Sequence, residues 1–478
     1  MSKEINKSQN ISIAPGLLIA GTNSGCGKTT VTLALMEAFR RKGIKVRPFK
    51  VGPDFIDPGL HRLILGVSSH NLDTWMLPPD RVKQLYVSAS KGFDLSIVEG
   101  VMGLYDGASG SNEEGSSAQI AKLLGLKVLL IVNAKSMARS VSALIKGFLE
   151  FDPSLDFLGV ILNNVGSKNH QELLDEALRS LSIDFVGFLN RNPDITIPSR
   201  HLGLITAEES PINKEFRDKL FKWISEGINL DNLYEKLKTK SYKAYNSSSL
   251  EKSDYPYRKC KIKKKKVLAV SWDRAFCFLY QVNLDLLRRF GVRIEFFSPL
   301  EDKSLPSNTT GIYLCGGYPE LYAKRLSENR SILSEIKNFI EDNKVLYAEC
   351  GGMLYLSKGI KLERESIKLL GVFPFWVKLS KRLVALGYRE VRFLVDCFLA
   401  KRGSVIRGHE FHYSYLEMTD LEEVKHKEII NTYEVFNRKG EKVNTQGFLY
   451  KNCLASYVHL HFLNNPQICK NFVRILSE

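Results

Sequence analysis

The sequence has no pattern of paired cysteines. Eight cysteines, at 26, 260, 277, 315, 350, 397, 453 and 469, are scattered through 478 residues without one C-x-x-C pair. That argues against a disulfide framework and against a zinc site, so each cysteine is read singly. Long hydrophobic runs are missing too: none approaches the roughly 18–20 residues that span a bilayer. The polar start Met1-Ser2-Lys3-Glu4-Ile5-Asn6-Lys7 has no hydrophobic segment behind it, so no secretory signal is read and a cytoplasmic location is expected. Negative charge is in short supply, with 52 Asp and Glu against 68 Lys and Arg, a net +16. Such an excess suits nucleic acid, anionic lipid or a polyanionic small substrate. Lysine-rich composition on solvated faces explains it equally well, so charge alone does not choose.

What is present begins with Gly21-Thr22-Asn23-Ser24-Gly25-Cys26-Gly27-Lys28-Thr29-Thr30. It follows the apolar run Leu17–Ala20 and opens a segment whose apolar residues Val31, Ala34, Leu35, Ala38 and Phe39 recur at helical spacing up to Gly43. Strand, glycine-rich loop and helix in this order form a phosphate-binding loop. Backbone N–H groups of Gly21 to Gly27 close around the anion, Lys28 supplies a point charge, and the Thr29 hydroxyl can ligate Mg²⁺. The strict G-x-x-x-x-G-K-[ST] template would need glycine at Thr22; the first glycine comes one residue early.

Two acid-bearing loops follow strand candidates. The first is Gly52-Pro53-Asp54-Phe55-Ile56-Asp57-Pro58-Gly59, which reads either as metal or substrate chemistry or as turn chemistry. The second is the buried-type strand Asp94–Glu99 running into Gly100-Val101-Met102-Gly103-Leu104-Tyr105-Asp106-Gly107. Further strands are expected at 127–133, 157–163 and 183–188, with helices near 116–125, 136–150, 170–181 and 210–239. This alternation predicts a mostly parallel, doubly wound sheet. Ligands in such sheets sit beyond the strand carboxyl ends, so one site is expected to collect Lys28, Asp54, Glu99 and Asp106.

Periodicity is lost over 241–265, read as a linker that runs into Lys261-Ile262-Lys263-Lys264-Lys265-Lys266. A second α/β unit is expected from 266 to 478. Its strands 311–314 and 345–349 end in Cys315-Gly316-Gly317-Tyr318-Pro319-Glu320 and Cys350-Gly351-Gly352-Met353. Cys350 on a tight strand-to-helix turn has the setting of a nucleophile elbow, with backbone N–H groups such as those of Gly317 and Gly351 forming an oxyanion hole. A thiol nucleophile wants an imidazole, and Tyr457-Val458-His459-Leu460-His461-Phe462 supplies two on one strand face. Arg407-Gly408-His409-Glu410-Phe411-His412-Tyr413 adds two more, so a histidine metal site is the rival reading.

These motifs, in this order and across nearly the whole chain from about residue 15 to 465, resemble the cobyrinate a,c-diamide synthase family. The resemblance implies an ATP- and corrinoid-binding amidoligase domain over 15–240, after a polar tail 1–14. Its G-x₅-G-K-T loop is a family trait. It further implies a class I glutamine amidotransferase domain, flavodoxin-like, over 266–478. Cys350 would be the nucleophile and His459 its base. ATP, with Mg²⁺ near Thr29, Asp54 and Glu99, would phosphorylate a corrinoid carboxylate, with Asp57 and Asp106 positioning substrate or intermediate. Ammonia from L-glutamine, passing between domains without leaving the protein, would then amidate the a and c acetates of cobyrinate. Many glutamine amidotransferases carry a glutamate two residues after the histidine; here that residue is His461, so a Cys–His dyad with slow glutaminase turnover is expected. Cys315 stands where a small residue is usual and receives no role. Nickel-sirohydrochlorin and hydrogenobyrinate are alternative substrates, and cobyric acid synthase is a lower-ranked relative. A DNA- or partner-binding switch ATPase would leave the second domain unused. No nucleic-acid or membrane partner is expected, and the sequence does not choose between monomer and homodimer.

Overall fold

The computed structural model describes residues 10–11, 14–197, 199–200, 203–204, 206–238, 245–246, 266–418 and 428–476. The expected linker 241–265, apart from 245–246, and nearly all of the tail 1–14 lie outside the described residues. Contacts divide the chain into two compact units, Met1–Arg200 with Glu209–Tyr257, and His201–Glu208 with Arg258–Glu478.

The first unit is a seven-stranded sheet. Its strands in chain order are β1 (Gly16–Gly21), β2 (Val46–Val51), β3 (His70–Leu72), β4 (Leu95–Glu99), β5 (Lys127–Asn133), β6 (Asp156–Val165) and β7 (Val186–Asn190). They lie side by side as β3-β2-β4-β1-β5-β6-β7, every pairing parallel. A parallel sheet covered by helices on both faces buries both sides of each strand, which is why Leu17, Leu18, Ile19 and Ala20 of β1 are an unbroken apolar run with no exposure. Helix α1 (Lys28–Arg41) packs its Val31, Leu35 and Phe39 into a core shared with α7 (Lys214–Gly227). The intervening helices α2 (Ile56–Leu65), α3 (Pro79–Ser90), α4 (Ser117–Leu124), α5 (Ser140–Phe151) and α6 (Lys168–Leu178) complete the alternation, with α8 (Leu230–Lys238) after α7. The three-residue β3 was not expected. It is too short to show a period, and it forms because β2 offers it an open edge.

The second unit has a parallel core of β8 (Lys266–Ser271), β9 (Val292–Phe297), β10 (Thr309–Leu314) and β11 (Val345–Glu349). Short β12 (Ser357–Lys361), β13 (Ser366–Lys368), β14 (Phe373–Leu379) and β17 (Ser414–Met418) make one additional sheet. A second is made by β15 (Ala385–Phe393), β16 (Val405–His412), β19 (Tyr433–Asn437), β20 (Lys442–Val443) and β23 (His459–Leu460). The main sheet is closed by β18 (Ile430–Asn431), β21 (Gly447–Tyr450) and β22 (Cys453–Ser456), in the order β9-β8-β10-β11-β22-β21-β18. Pairing is parallel from β9 to β22 and antiparallel beyond. The helices are α9 (Gln281–Arg289), α10 (Ala323–Glu328), α11 (Arg330–Glu341), α12 (Gly351–Leu356) and α13 (Pro466–Ile475). The chain is therefore α/β in both units. The two added sheets between residues 357 and 460, one mixed with β12 and β14 parallel and one antiparallel, were not expected; the histidine motifs carried by β16 and β23 were read for their chemistry and not for strand pairing.

Candidate functional site

In the first unit the loop after β1 is shaped by close backbone approaches. Gly25 and Gly27 have φ +80° and +100°, the left-handed region that glycine enters without a steric penalty. A Cβ on Gly21 would run into the Cys26 sulfur, and one on Gly27 into the Asn163 amide. That amide donates to the Cys26 carbonyl at 3.0 Å. Thr22 donates to Asn23 and Asn23 to the Ser24 carbonyl, while Lys28 Nζ donates to the Asn23 carbonyl at 3.0 Å, drawing the loop closed. Lys28, Thr29 and Thr30 form the first turn of α1, where helix N–H groups have no intrahelical partner and favour an anion. The residues therefore fit a polyphosphate.

Beneath this loop lies a dense polar cluster. Thr29 donates to Glu99 Oε1 at 2.7 Å and lies 3.5 Å from Asp57 Oδ1. Lys50 Nζ reaches Asp57 at 2.7 Å and Glu99 at 3.2 Å, and also donates to the Gly100 carbonyl at 2.9 Å. His61 Nε2 meets Glu99 Oε2 at 2.7 Å, and its Nδ1 meets Ser69. Burial disfavours the Lys50 charge, but Asp57 and Glu99 outweigh it and hold the ammonium firmly protonated. Burial likewise opposes the Glu99 charge, yet Lys50, His61 and Thr29 hold this carboxylate well below its usual range. Asp57 goes the other way, driven up by burial, Asp54 and Glu99 against the pull of Lys50. Lys28 is lowered by burial.

The structure thus brings together Lys28, Thr29, Asp57 and Glu99. It distributes the two aspartates differently from expectation: Asp57, rather than Asp54, faces Thr29. Asp54 Oδ1 instead accepts the N–H groups of Ile56 and Asp57 at the start of α2, so turn chemistry is what occupies that oxygen. Asp106 is exposed, and its Oδ2 accepts from Gly103 N, whose neighbour Leu104 N donates to the Gly21 carbonyl. Lys50 and His61 were missed. Lys50 looked like one more strand residue, and His61 lies mid-helix with only its burial to betray it.

In the second unit three neighbouring parallel strands, β10, β11 and β22, deliver their carboxyl ends to one corner. Cys350, between β11 and α12, is buried with φ +47° and ψ −108°, a conformation costing about 1–3 kcal/mol for a non-glycine residue. Its N–H donates to the Ser456 carbonyl at 2.7 Å, and its sulfur lies 3.9 Å from the Phe411 carbonyl. The turn tolerates no bulk: a Cβ on Gly351 would sit 2.9 Å from Gly317 N, and one on Gly316 would enter the His459 ring. Burial and the nearby Glu320 push the Cys350 thiol far above its usual range. The partly buried Glu320 is itself raised to about 7 by burial.

His459 Nδ1 lies 3.6 Å from Glu349 Oε2. Glu349 is fully buried; it accepts from the Tyr313 and Tyr347 hydroxyls at 2.7 and 2.6 Å and from Leu460 N at 2.9 Å. His461 is buried with its ring centre 4.9 Å from that of Tyr280, and burial lowers it to about 3. His409 is paired across from His459 and also lowered to about 3 by burial. His412 lies between Glu410 Oε1 and the Ser414 carbonyl, stacked on Tyr457. Among the described residues no three His, Cys, Asp or Glu side chains are grouped to hold a metal. A cavity of about 460 Å³ opens beside Tyr457, with Arg389, Glu410, His412 and Thr445 in its wall. Cys315 is buried against Ser271, whose hydroxyl accepts its N–H. Among the described residues no helix is long and apolar enough to cross a membrane.

Residues 17–205 match the CobQ/CobB/MinD/ParA nucleotide binding domain, and residues 267–467 match the CobB/CobQ-like glutamine amidotransferase domain. A chain that joins these two domains is a nucleotide-using, glutamine-dependent amidation ligase. It is 42% identical to the cobyrinate a,c-diamide synthase of Caldanaerobacter subterraneus subsp. tengcongensis, over 95% of this chain and 97% of that one. It is 39% identical to that of Leptospira interrogans (97% and 99% covered) and 37% identical to that of Thermoplasma volcanium (96% and 96%). The chain belongs to the cobyrinate a,c-diamide synthase family.

Proposed function

We propose that this protein amidates the a and c acetate side chains of cobyrinate, using ATP and ammonia released from glutamine. The observation that carries the reading is full-length likeness to synthases named for that substrate, in a chain bearing both sites. Ammonia does not displace oxide from a carboxylate at useful rates. Phosphorylation by ATP gives an acyl phosphate with a good leaving group, which ammonia attacks to yield the amide, phosphate and a proton.

In the first unit the backbone of Gly21–Gly27, with Lys28, takes the phosphates. Mg²⁺, when bound, would be held by the oxygens of Thr29, Asp57 and Glu99 and would neutralise phosphate charge; hard oxygen donors of this kind suit it. Asp54 fixes the loop that presents Asp57. Lys50 balances the carboxylates, and Asp106 lies on the adjoining loop as a substrate contact. In the second unit the Cys350 sulfur, after giving its proton to His459, attacks the glutamine amide carbon. Gly317 and Gly351 N–H groups receive the oxyanion. The imidazolium returns the proton to the leaving nitrogen, releasing ammonia and a γ-glutamyl thioester, and water then yields glutamate and the free thiol. The cavity bearing Arg389 and Glu410 offers charges of both signs for the glutamine α-groups. The enzyme is assigned to the cytoplasm.

The test is amide formation on cobyrinate with glutamine and, separately, with ammonium. Cys350→Ala is expected to lower the glutamine reaction by at least about a thousandfold while sparing the ammonium reaction. Lys28→Ala should abolish both while leaving glutaminase. Loss of both reactions in folded Cys350→Ala would overturn the division of labour, and turnover of nickel-sirohydrochlorin or hydrogenobyrinate above cobyrinate would change the substrate.

A further inference from the structure

A cysteine–histidine pair works best when the imidazole is held by an acceptor at one nitrogen, leaving the other for the thiol. The position where an amidotransferase glutamate would follow the histidine by two residues is His461, a neutral ring packed on Tyr280. A carboxylate nonetheless stands at the histidine, supplied by the residue directly before the nucleophile. Glu349 Oε2 is 3.6 Å from His459 Nδ1, within ion-pair range and just beyond hydrogen-bond length. Its place is fixed on the other sides by Tyr313, Tyr347 and Leu460 N.

A structural role explains this arrangement poorly. The Tyr313 and Tyr347 rings pack with Phe462, and Tyr347 also with Phe472, in an aromatic layer of the core. A carboxylate there is costly to desolvate, and an apolar side chain of similar volume is often neutral or stabilising in such a place. The same peptide segment strains Cys350 to φ +47°, so one turn sets both the nucleophile and the carboxylate. Facing the pair are Tyr313 and Cys315 at the end of β10, Tyr347 on β11 and Cys350 just beyond it, His409 from β16 and Tyr433 from β19.

We infer that Glu349 is a positioning residue for glutamine hydrolysis, holding His459 by its Nδ1 edge so that Nε2 serves Cys350, in place of the glutamate missing at position 461. The inference rests on the Cys350–His459 reading above. In the full-length enzyme, Glu349→Gln is expected to lower glutaminase kcat, and the rate of Cys350 alkylation by iodoacetamide, by about a hundredfold. Glutamine KM should stay within about twofold and ammonium-dependent amidation should be unchanged. Tyr347→Phe removes a donor to the same carboxylate but leaves it beside His459, so it should lose stability while keeping kcat.

Equal kcat losses in the two variants, or a kcat in Glu349→Gln within about threefold of the parent, would overturn the inference. If Glu349→Gln does not fold, Glu349→Asp decides. Slowed alkylation beside a normal Tyr347→Phe supports positioning, and normal alkylation overturns it. Should Cys350→Ala keep its glutaminase, the underlying reading fails instead, so the two failures are told apart.

Discussion

The two sites handle charge in opposite ways. In the first unit buried acids and bases neutralise one another: Lys50 holds Asp57 and Glu99, and His61 holds the far oxygen of Glu99. In the second the proposed nucleophile is a buried thiol in a strained, crowded turn, and the carboxylate beside His459 is satisfied chiefly by tyrosine hydroxyls. Phosphate chemistry brings several negative charges at once, so its site needs a cation and exchangeable acids already in place. Thiol chemistry creates charge only during reaction, so its site is built from geometry, burial and small residues.

Three changes would break or sharpen this contrast. The largest effect is expected from Lys50→Met. It leaves two buried carboxylates without their cation, a loss of about 3–5 kcal/mol in urea denaturation. A smaller loss would mean that the first site does not depend on charge balance. Next comes Gly316→Ala, whose methyl group would displace the His459 ring. Glutaminase should fall by about a hundredfold, because small misplacements are costly at reacting groups, while ammonium-dependent amidation persists. Retention of glutaminase would show that crowding there is incidental.

The smallest effect is in pH dependence, and it has opposite signs in the two units. Glu99 is held below its ordinary value of 4.5, so its contribution is present above that pH and lost as pH falls. Glu320 is raised from 4.5 to about 7, so its contribution is present below about 4.5 and lost as pH rises through about 7. Urea midpoints from about pH 2 to 8 should therefore show Glu99→Gln flattening the profile below about 4.5 and Glu320→Gln flattening it between about 4.5 and 7. The same sign in both variants would remove the distinction.

Much of this was legible residue by residue. The phosphate loop announced itself because strand, glycines, lysine and helix are contiguous. The Cys350 elbow did so because strand, cysteine and two glycines are contiguous as well. Asp54 and Asp57 could not be told apart by spacing. Their roles depend on which one α2 turns toward Thr29, and the helix consumes Asp54 Oδ1 at its own first turn. Lys50, His61 and Glu349 escaped notice because each is ordinary in its local context. Only a partner 49, 38 or 110 positions away makes it polar machinery.

The sequence by itself determined the two α/β units, the order of their motifs and the elbow turn that carries the proposed nucleophile, since these are encoded in runs of neighbouring residues whose period and turn chemistry are local. Tertiary structure alone decided which carboxylate stands by Thr29, which cation balances it and which acid addresses His459. Those choices rest on distances between segments far apart in the chain. They are set by parallel strand order and by the cost of burying any charge that lacks a partner.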